Sequence, residues 1–243
     1  MAKVEFGEAW VYESIVSALP GIDVSRPVAI GIQLVLFEVA VLVAAWYYDL
    51  WTAALAGSAA VLVAALGSAE MLRISTLVRS EPLPETYRRL LFGTSIEVVL
   101  AVLAFIALVT QLFVFAPQRG GPSLVESLFG PEPPVVVVYL MLLILWDVCY
   151  RIGTAWWASV VSLWRSYRYR FDPRTAQALR RSDLEIIAFS TAQLILVPFV
   201  ADQPVIATVI VGHVAAVWGV TGLSVVLLTV RTREEDATGT SSA

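Results

Sequence analysis

The sequence predicts an all-α fold, a polytopic transmembrane helical bundle of six spans with both termini cytoplasmic, and three observations predict it. Hydrophobic residues make up 58% of the 243-residue chain and charged residues only 15%, well below the roughly 25% of a soluble domain. The apolar residues are gathered into six long blocks, each close to the roughly 20 helical residues that cross a hydrocarbon core about 30 Å thick. Arginine falls almost wholly on alternate connections between those blocks, as it does when positive loops are retained in the cytoplasm.

Residues 1–26 form an expected cytoplasmic N-terminal segment. The opening MAKVEFGEAWVYES follows Lys3 with Glu5 and Glu8 and has no apolar stretch ending in a small-residue cleavage site, so it does not read as a secretory signal. Trp10, Val11, Ile15 and Leu19 fall near one face of a helix over Val4 to Leu19, which suits a helix lying in the membrane interface.

The transmembrane domain is expected over residues 27–230. Its first two spans run from about Val28 to Tyr47 and from Trp51 to Ala69, with a tight aromatic turn between them. The third covers Leu91 to Ala116. The fourth starts after Pro133 and Pro134 at Val135, crosses by about residue 155 and continues as helix to Trp164. The fifth, from Leu184 to Ala201, and the sixth, from Pro204 to Val230, are separated only by Asp202 and Gln203 and so predict a helical hairpin. Residues 231–243 are acidic and then rich in serine, threonine and glycine, the composition of a disordered cytoplasmic tail.

Orientation follows from the basic residues. Arg73, Arg79, Arg88 and Arg89 lie between spans two and three, and Arg165, Arg168, Arg170, Arg174, Arg180 and Arg181 between spans four and five, while the turns after spans one and five carry no arginine or lysine. Six spans make this alternation consistent and place the chain as a multi-pass protein of the cell membrane. Trp164 and Tyr167 interleave with Arg165, Arg168 and Arg170 where span four leaves the bilayer. These five residues are the expected contacts for anionic lipid headgroups, and their place beside a span argues against nucleic acid as the partner.

Ionisable groups inside the spans carry the functional reading, since a charge at mid-bilayer costs about 2.5–3.5 kcal/mol even on a lenient scale. Glu38 lies near the middle of span one and His213 near the middle of span six; Glu97 lies about two turns into span three, and Asp147 and Arg151 in the inner half of span four. Asp147 and Arg151 are four residues apart and share a helix face. The functional reading makes Glu38, Glu97, Asp147, Arg151 and His213 a polar path, open to the cytoplasm, for protons, ions or a small solute, and the protein a small transporter or channel. The competing reading makes it a non-transporting interaction or scaffold protein, in which polar groups lock helix packing and basic loops bind anionic lipid or a membrane protein partner. A homo-oligomer is compatible with either. Small residues at four-residue spacing, Ala56, Ala60 and Ala64 in span two and Gly212 with Ala216 and Ala215 with Gly219 in span six, predict close helix approach and nominate those spans for the bundle centre. Pro198 is expected to disturb the fifth span.

Other chemistries are excluded by composition. The only lysine is Lys3, so no retinal Schiff base can form within a span, and a single histidine cannot supply a bis-histidine haem. One cysteine, Cys149, builds neither a disulfide nor a thiolate cluster. There is no P-loop, zinc-protease histidine pair or potassium-filter sequence. No cofactor or metal is therefore expected, and a carboxylate-based membrane enzyme is the minor alternative.

Overall fold

The computed structural model describes residues 10, 25–119 and 123–240. These form helices α1 (Arg26–Tyr48), α2 (Trp51–Ser80), α3 (Glu85–Phe92), α4 (Ile96–Thr110), α5 (Leu124–Phe129), α6 (Val135–Arg168), α7 (Pro173–Ala192) and α8 (Pro204–Thr240), with no strand among the described residues. Six helical stretches are long and apolar enough to cross a membrane, which makes this a multi-pass integral membrane protein. The interfacial helix expected over Val4 to Leu19 lies outside the described residues except at Trp10, which is fully buried and meets Phe92 edge to face at 4.9 Å.

Helix boundaries follow local chemistry. Pro27, Pro173 and Pro204 open helices, where a missing N–H costs nothing. Ser123 caps α5 by accepting from Glu126 N–H at 3.1 Å, and Asp172 caps α7 by accepting from Arg174 and Thr175 N–H, each at 3.1 Å. Asp49 ends α1 in the left-handed region (φ 55°), which permits the two-residue turn into α2.

Two spans leave α geometry at a proline. Beyond α4 the backbone makes a π-helical turn at Gln111–Phe115 and resumes α-helix at Ala116–Gln118. Pro117 has no N–H, and its ring crowds the carbonyl four residues earlier; widening the preceding turn relieves both problems. Beyond α7 the chain tightens into a 3₁₀ helix at Gln193–Val200, which contains Pro198. Each irregular stretch begins at a glutamine.

Several boundaries differ from the hydropathy reading, for one physical reason. Helix α2 continues past residue 69 to Ser80, α7 begins at Pro173 instead of 184, and α6 reaches Arg168. These extensions bury Glu70, Ser75, Ser182 and Asp183 against neighbouring helices, so they are amphipathic and fall outside any count of apolar runs. Helix α8 likewise runs through the expected tail to Thr240. The third span is broken: α3 ends before Gly93, and Ser95 (φ 52°) restarts the chain as α4. Glu97 thus stands in the first turn of α4, not two turns inside the span.

The packing centre is α6, which touches α1, α2, α3, α4, α7 and α8. Small residues on its buried face, Gly153, Ala155, Ala158, Ser159, Ser162 and Ser166, let those helices come close. A Cβ at Gly153 would sit 3.0 Å from Ala101 N and 3.3 Å from Glu97 O. Ser159 and Thr221 hydroxyls lie 2.9 Å apart, and Ser166 and Ser224 hydroxyls 2.8 Å, joining α6 to α8. The expectation that span six is central is corrected: Gly212, Ala215, Ala216 and Gly219 of α8 are exposed, and a Cβ on either glycine would meet nothing within 4 Å. Four-residue spacing marks a smooth face but cannot say which way the face points.

Candidate functional site: an intramembrane cavity

A cavity of about 640 Å³, partly open at the bundle surface beside exposed Ala104, Ala107 and Phe115, lies in the half that holds the turns after α1, α4 and α7, remote from the arginine-rich ends. Its existence is a matter of side-chain size. Helices α1 and α2 present Ala44, Ala45, Ala53, Ala56, Gly57 and Ala60 to it, and α4 presents Ala104 and Ala107. The alanine row of span two, read from sequence as a packing face, borders empty volume at Ala56 and Ala60. Leucine, isoleucine, valine and phenylalanine from α5, α6, the 3₁₀ helix and α8 complete the wall.

Polar lining is sparse and specific. It consists of Thr110 and Gln111 at the π turn, Gln193 at the start of the 3₁₀ helix, His213 of α8 and the buried thiol of Cys149. Gln193 is 1% exposed, and neither its amide nitrogen nor its amide oxygen has a hydrogen-bond partner among the described residues. His213 Nε2 is also buried without a partner there, with its ring 5.9 Å from that of Trp156. Leaving a buried polar group unsatisfied costs about 1–3 kcal/mol; these three atoms are sealed by packing, with almost no surface open to the cavity. No aspartate, glutamate, arginine or lysine lines the cavity.

The five ionisable residues singled out from sequence do not meet here. His213 alone reaches the cavity. Arg151 Nη2 donates to Asp147 Oδ1 at 2.8 Å, Gln33 Nε2 donates to Asp147 Oδ2 at 2.8 Å, and Arg151 Nη1 lies 3.4 Å from Met71 Sδ. This cluster ties α1 and α2 to α6 and borders only a void of about 10 Å³, room for roughly one water. Glu38 accepts from Ser58 at 2.6 Å, a link between α1 and α2. Glu97 is fully buried where α4 packs against α6. Four of the five, all but His213, therefore join helices through side-chain contacts or close packing already made.

A second polar cluster lies at the arginine-rich end, and it changes the reading of one residue. Arg165 is 1% exposed and donates to Asp183 Oδ1 at 2.6 Å, to Tyr87 Oη at 3.0 Å and to Leu179 O at 3.3 Å. Ser224 Oγ donates to the other carboxylate oxygen of Asp183 at 2.7 Å. The guanidinium thus fastens α3, α6, α7 and α8 together and is withdrawn from headgroups, contrary to expectation, because Asp183 offers a buried counter-charge one helix away. Arg168, Arg170 and Tyr167 are exposed, and Trp164 is half-buried against Tyr169 at 5.6 Å.

Sequence reasoning weighed charges and passed over the neutral amides. Gln33, Gln111 and Gln193 each interrupt an apolar block, and that was the available signal. Neither a curated protein nor a solved structure matches the chain. The sequence model of a family of unknown function (DUF7530) matches residues 5–224, and the chain belongs to that family.

Proposed function

We propose that this protein is a membrane-embedded binding protein whose spans enclose a site for an apolar small molecule. The observation that carries the proposal is the cavity of about 640 Å³, apolar over nearly all its wall, with Thr110, Gln111, Cys149, Gln193 and His213 as the polar residues along it. Ligand sites in proteins have this volume range and this composition, mostly apolar with a few placed polar groups. The arginine-rich end lies in the cytoplasm of the cell membrane, where Arg168 and Arg170 meet anionic headgroups.

This reading is favoured over an ion or proton path. A conducting route needs charged or hydratable groups along its length, whereas the buried ion pairs Asp147–Arg151 and Asp183–Arg165 stand outside the cavity and no charged side chain lines it. The test is extraction of the purified protein with organic solvent and mass spectrometry of what is released. One non-phospholipid species should be enriched in wild type over Ala56→Phe, a variant that fills the cavity. Equal extracts from the two proteins would refute the proposal, as would ion or proton flux into liposomes above that of empty vesicles.

A further inference from the structure

Resting on that cavity reading, we infer that the cavity is loaded sideways from the bilayer, through a mouth between α4 and α8, with an uncharged hydrocarbon-bodied molecule dissolved in the membrane. The mouth is located by exposure. Of the residues that line the cavity, Ala104 and Ala107 of α4, Phe115 of the π turn, and Val205 and Val209 of α8 are exposed; all the others are buried or half-buried. A side chain that borders both the cavity and the bundle surface stands at an edge of the opening, and these five stand on two spans alone. Packing agrees. Both α4 and α8 pack closely on α6, and neither packs comparably on the other among the described residues, so the two flank α6 with a gap between them. Side-chain size keeps the gap open. Elsewhere α4 turns Val99, Leu103 and Ile106 to the lipid, but its rim residues at mid-span are alanines. On α8, Val205, Val209, Gly212 and Ala216 share one face and all four are exposed, so past Val209 that face carries nothing larger than a methyl group.

The two ends of the cavity are closed. The end remote from the arginines is roofed by α5, which lays half-buried Leu124, Leu128 and Phe129 over it and turns Glu126 and Ser127 outward. At the other end Cys149 and Gln193 are buried, and the Gln193 amide and His213 Nε2 have almost no surface open to the cavity. The open flank lies within the hydrocarbon. Ala107 stands midway along residues 96–118, and Phe115 and Val205 stand near the span ends remote from the arginines, so the mouth faces acyl chains of that leaflet. A molecule entering there leaves one apolar solvent for another and exposes no methylene to water on the way. Rim and wall decide its chemistry. No charged side chain lines either, and a buried charge without a partner is among the most costly arrangements a protein can hold. An uncharged molecule with hydrocarbon over most of its surface is the one that fits.

The probe is a hexadecane carrying one diazirine, at trace level. Liposomes holding the full-length protein are mixed with liposomes holding the probe and photolysed after increasing delays, and the label is mapped by mass spectrometry. Leu36 and Val39 face lipid and report arrival of the probe in the protein's own bilayer. Ile144 and Val148 are buried and line the cavity, and they report entry. In wild type, label at Ile144 and Val148 should follow label at Leu36 and Val39 closely. Ala104→Trp combined with Ala107→Trp should delay it by about tenfold at an unchanged plateau, since the probe must then pass a crowded rim. Val209→Trp, on the opposite rim, should do the same, and it decides the matter if the alanine variant does not fold. Val43→Trp, exposed on α1 away from the rim, should cause no delay. A folded rim variant without delay, or an equal delay in Val43→Trp, overturns the inference. Failure of the cavity reading looks different: Ile144 and Val148 take no label in wild type at any time, or take it equally in Ala56→Phe.

Discussion

Asp183→Leu should be the most destabilising single substitution at the arginine-rich end. Asp183 is fully buried and Arg165 is 1% exposed, with 2.6 Å between them. Removing the carboxylate deletes two hydrogen bonds, one from Arg165 and one from Ser224, and strands the guanidinium with only Tyr87 Oη and Leu179 O. Breaking a buried pair from one side costs about 3–5 kcal/mol, most of it the uncompensated charge. Replacing both partners with apolar residues of similar volume is often nearly neutral. Arg165→Met with Asp183→Leu should therefore recover most of the loss. Equilibrium unfolding in mixed dodecyl maltoside and dodecyl sulfate micelles, followed by tryptophan fluorescence, measures both. A loss below about 1 kcal/mol for the single variant, or a double variant no better than the single, would refute the assignment of Arg165 as a structural fastener.

Gly153→Val should cost about 1–3 kcal/mol in the same unfolding assay, because its Cβ would meet the backbone of α4 at Ala101 N, 3.0 Å away; Gly219→Val, which meets nothing, should be neutral. Asp172→Ala should weaken the start of α7, with a pH dependence whose sign is fixed. Hydrogen bonds from Thr175, through its side chain first and its N–H second, and from the Arg174 N–H hold the Asp172 carboxyl below the usual range. Its contribution is present above the unfolded value near pH 4 and lost as pH falls through the lower folded value, so the gap between wild type and variant should begin to close near pH 4 and disappear only below the folded value. In a Cys149→Ala background, Glu132→Cys and Arg174→Cys should react with an impermeant maleimide from opposite sides of the membrane, Glu132→Cys from outside; labelling of both from one side contradicts the orientation.

Which features could be read from the sequence is instructive. Lipid contact is written locally: every residue of Leu36, Val39, Val43 and Trp46 that faces hydrocarbon is apolar whatever surrounds it, so the six spans and the short turns at Asp49 and Asp202 follow from composition along the chain. The i, i+4 spacing of Asp147 and Arg151 likewise contains its own geometry. The partner of Arg165, by contrast, lies 18 residues away on another helix. Nothing within span four distinguishes a guanidinium that turns inward to Asp183 from one that reaches headgroups, as exposed Arg168 does. The alanines of α2 show the same limit for voids. Small side chains permit either close packing or empty space, and only the positions of α4, α6 and α8 decide that Ala64 is packed while Ala56 faces the cavity. Gln193 was overlooked because it is neutral, yet a carboxamide sealed in apolar surroundings needs partners as much as a charge does.

The central claim, that the cavity holds an apolar small molecule, is tested most directly by an experimental density map of the protein in lipid nanodiscs, without added ligand. The account predicts one discrete non-protein density between α2, α4, α6 and α8, within the cavity. A collapsed cavity, or one holding only phospholipid acyl tails or a file of water from end to end, would contradict it.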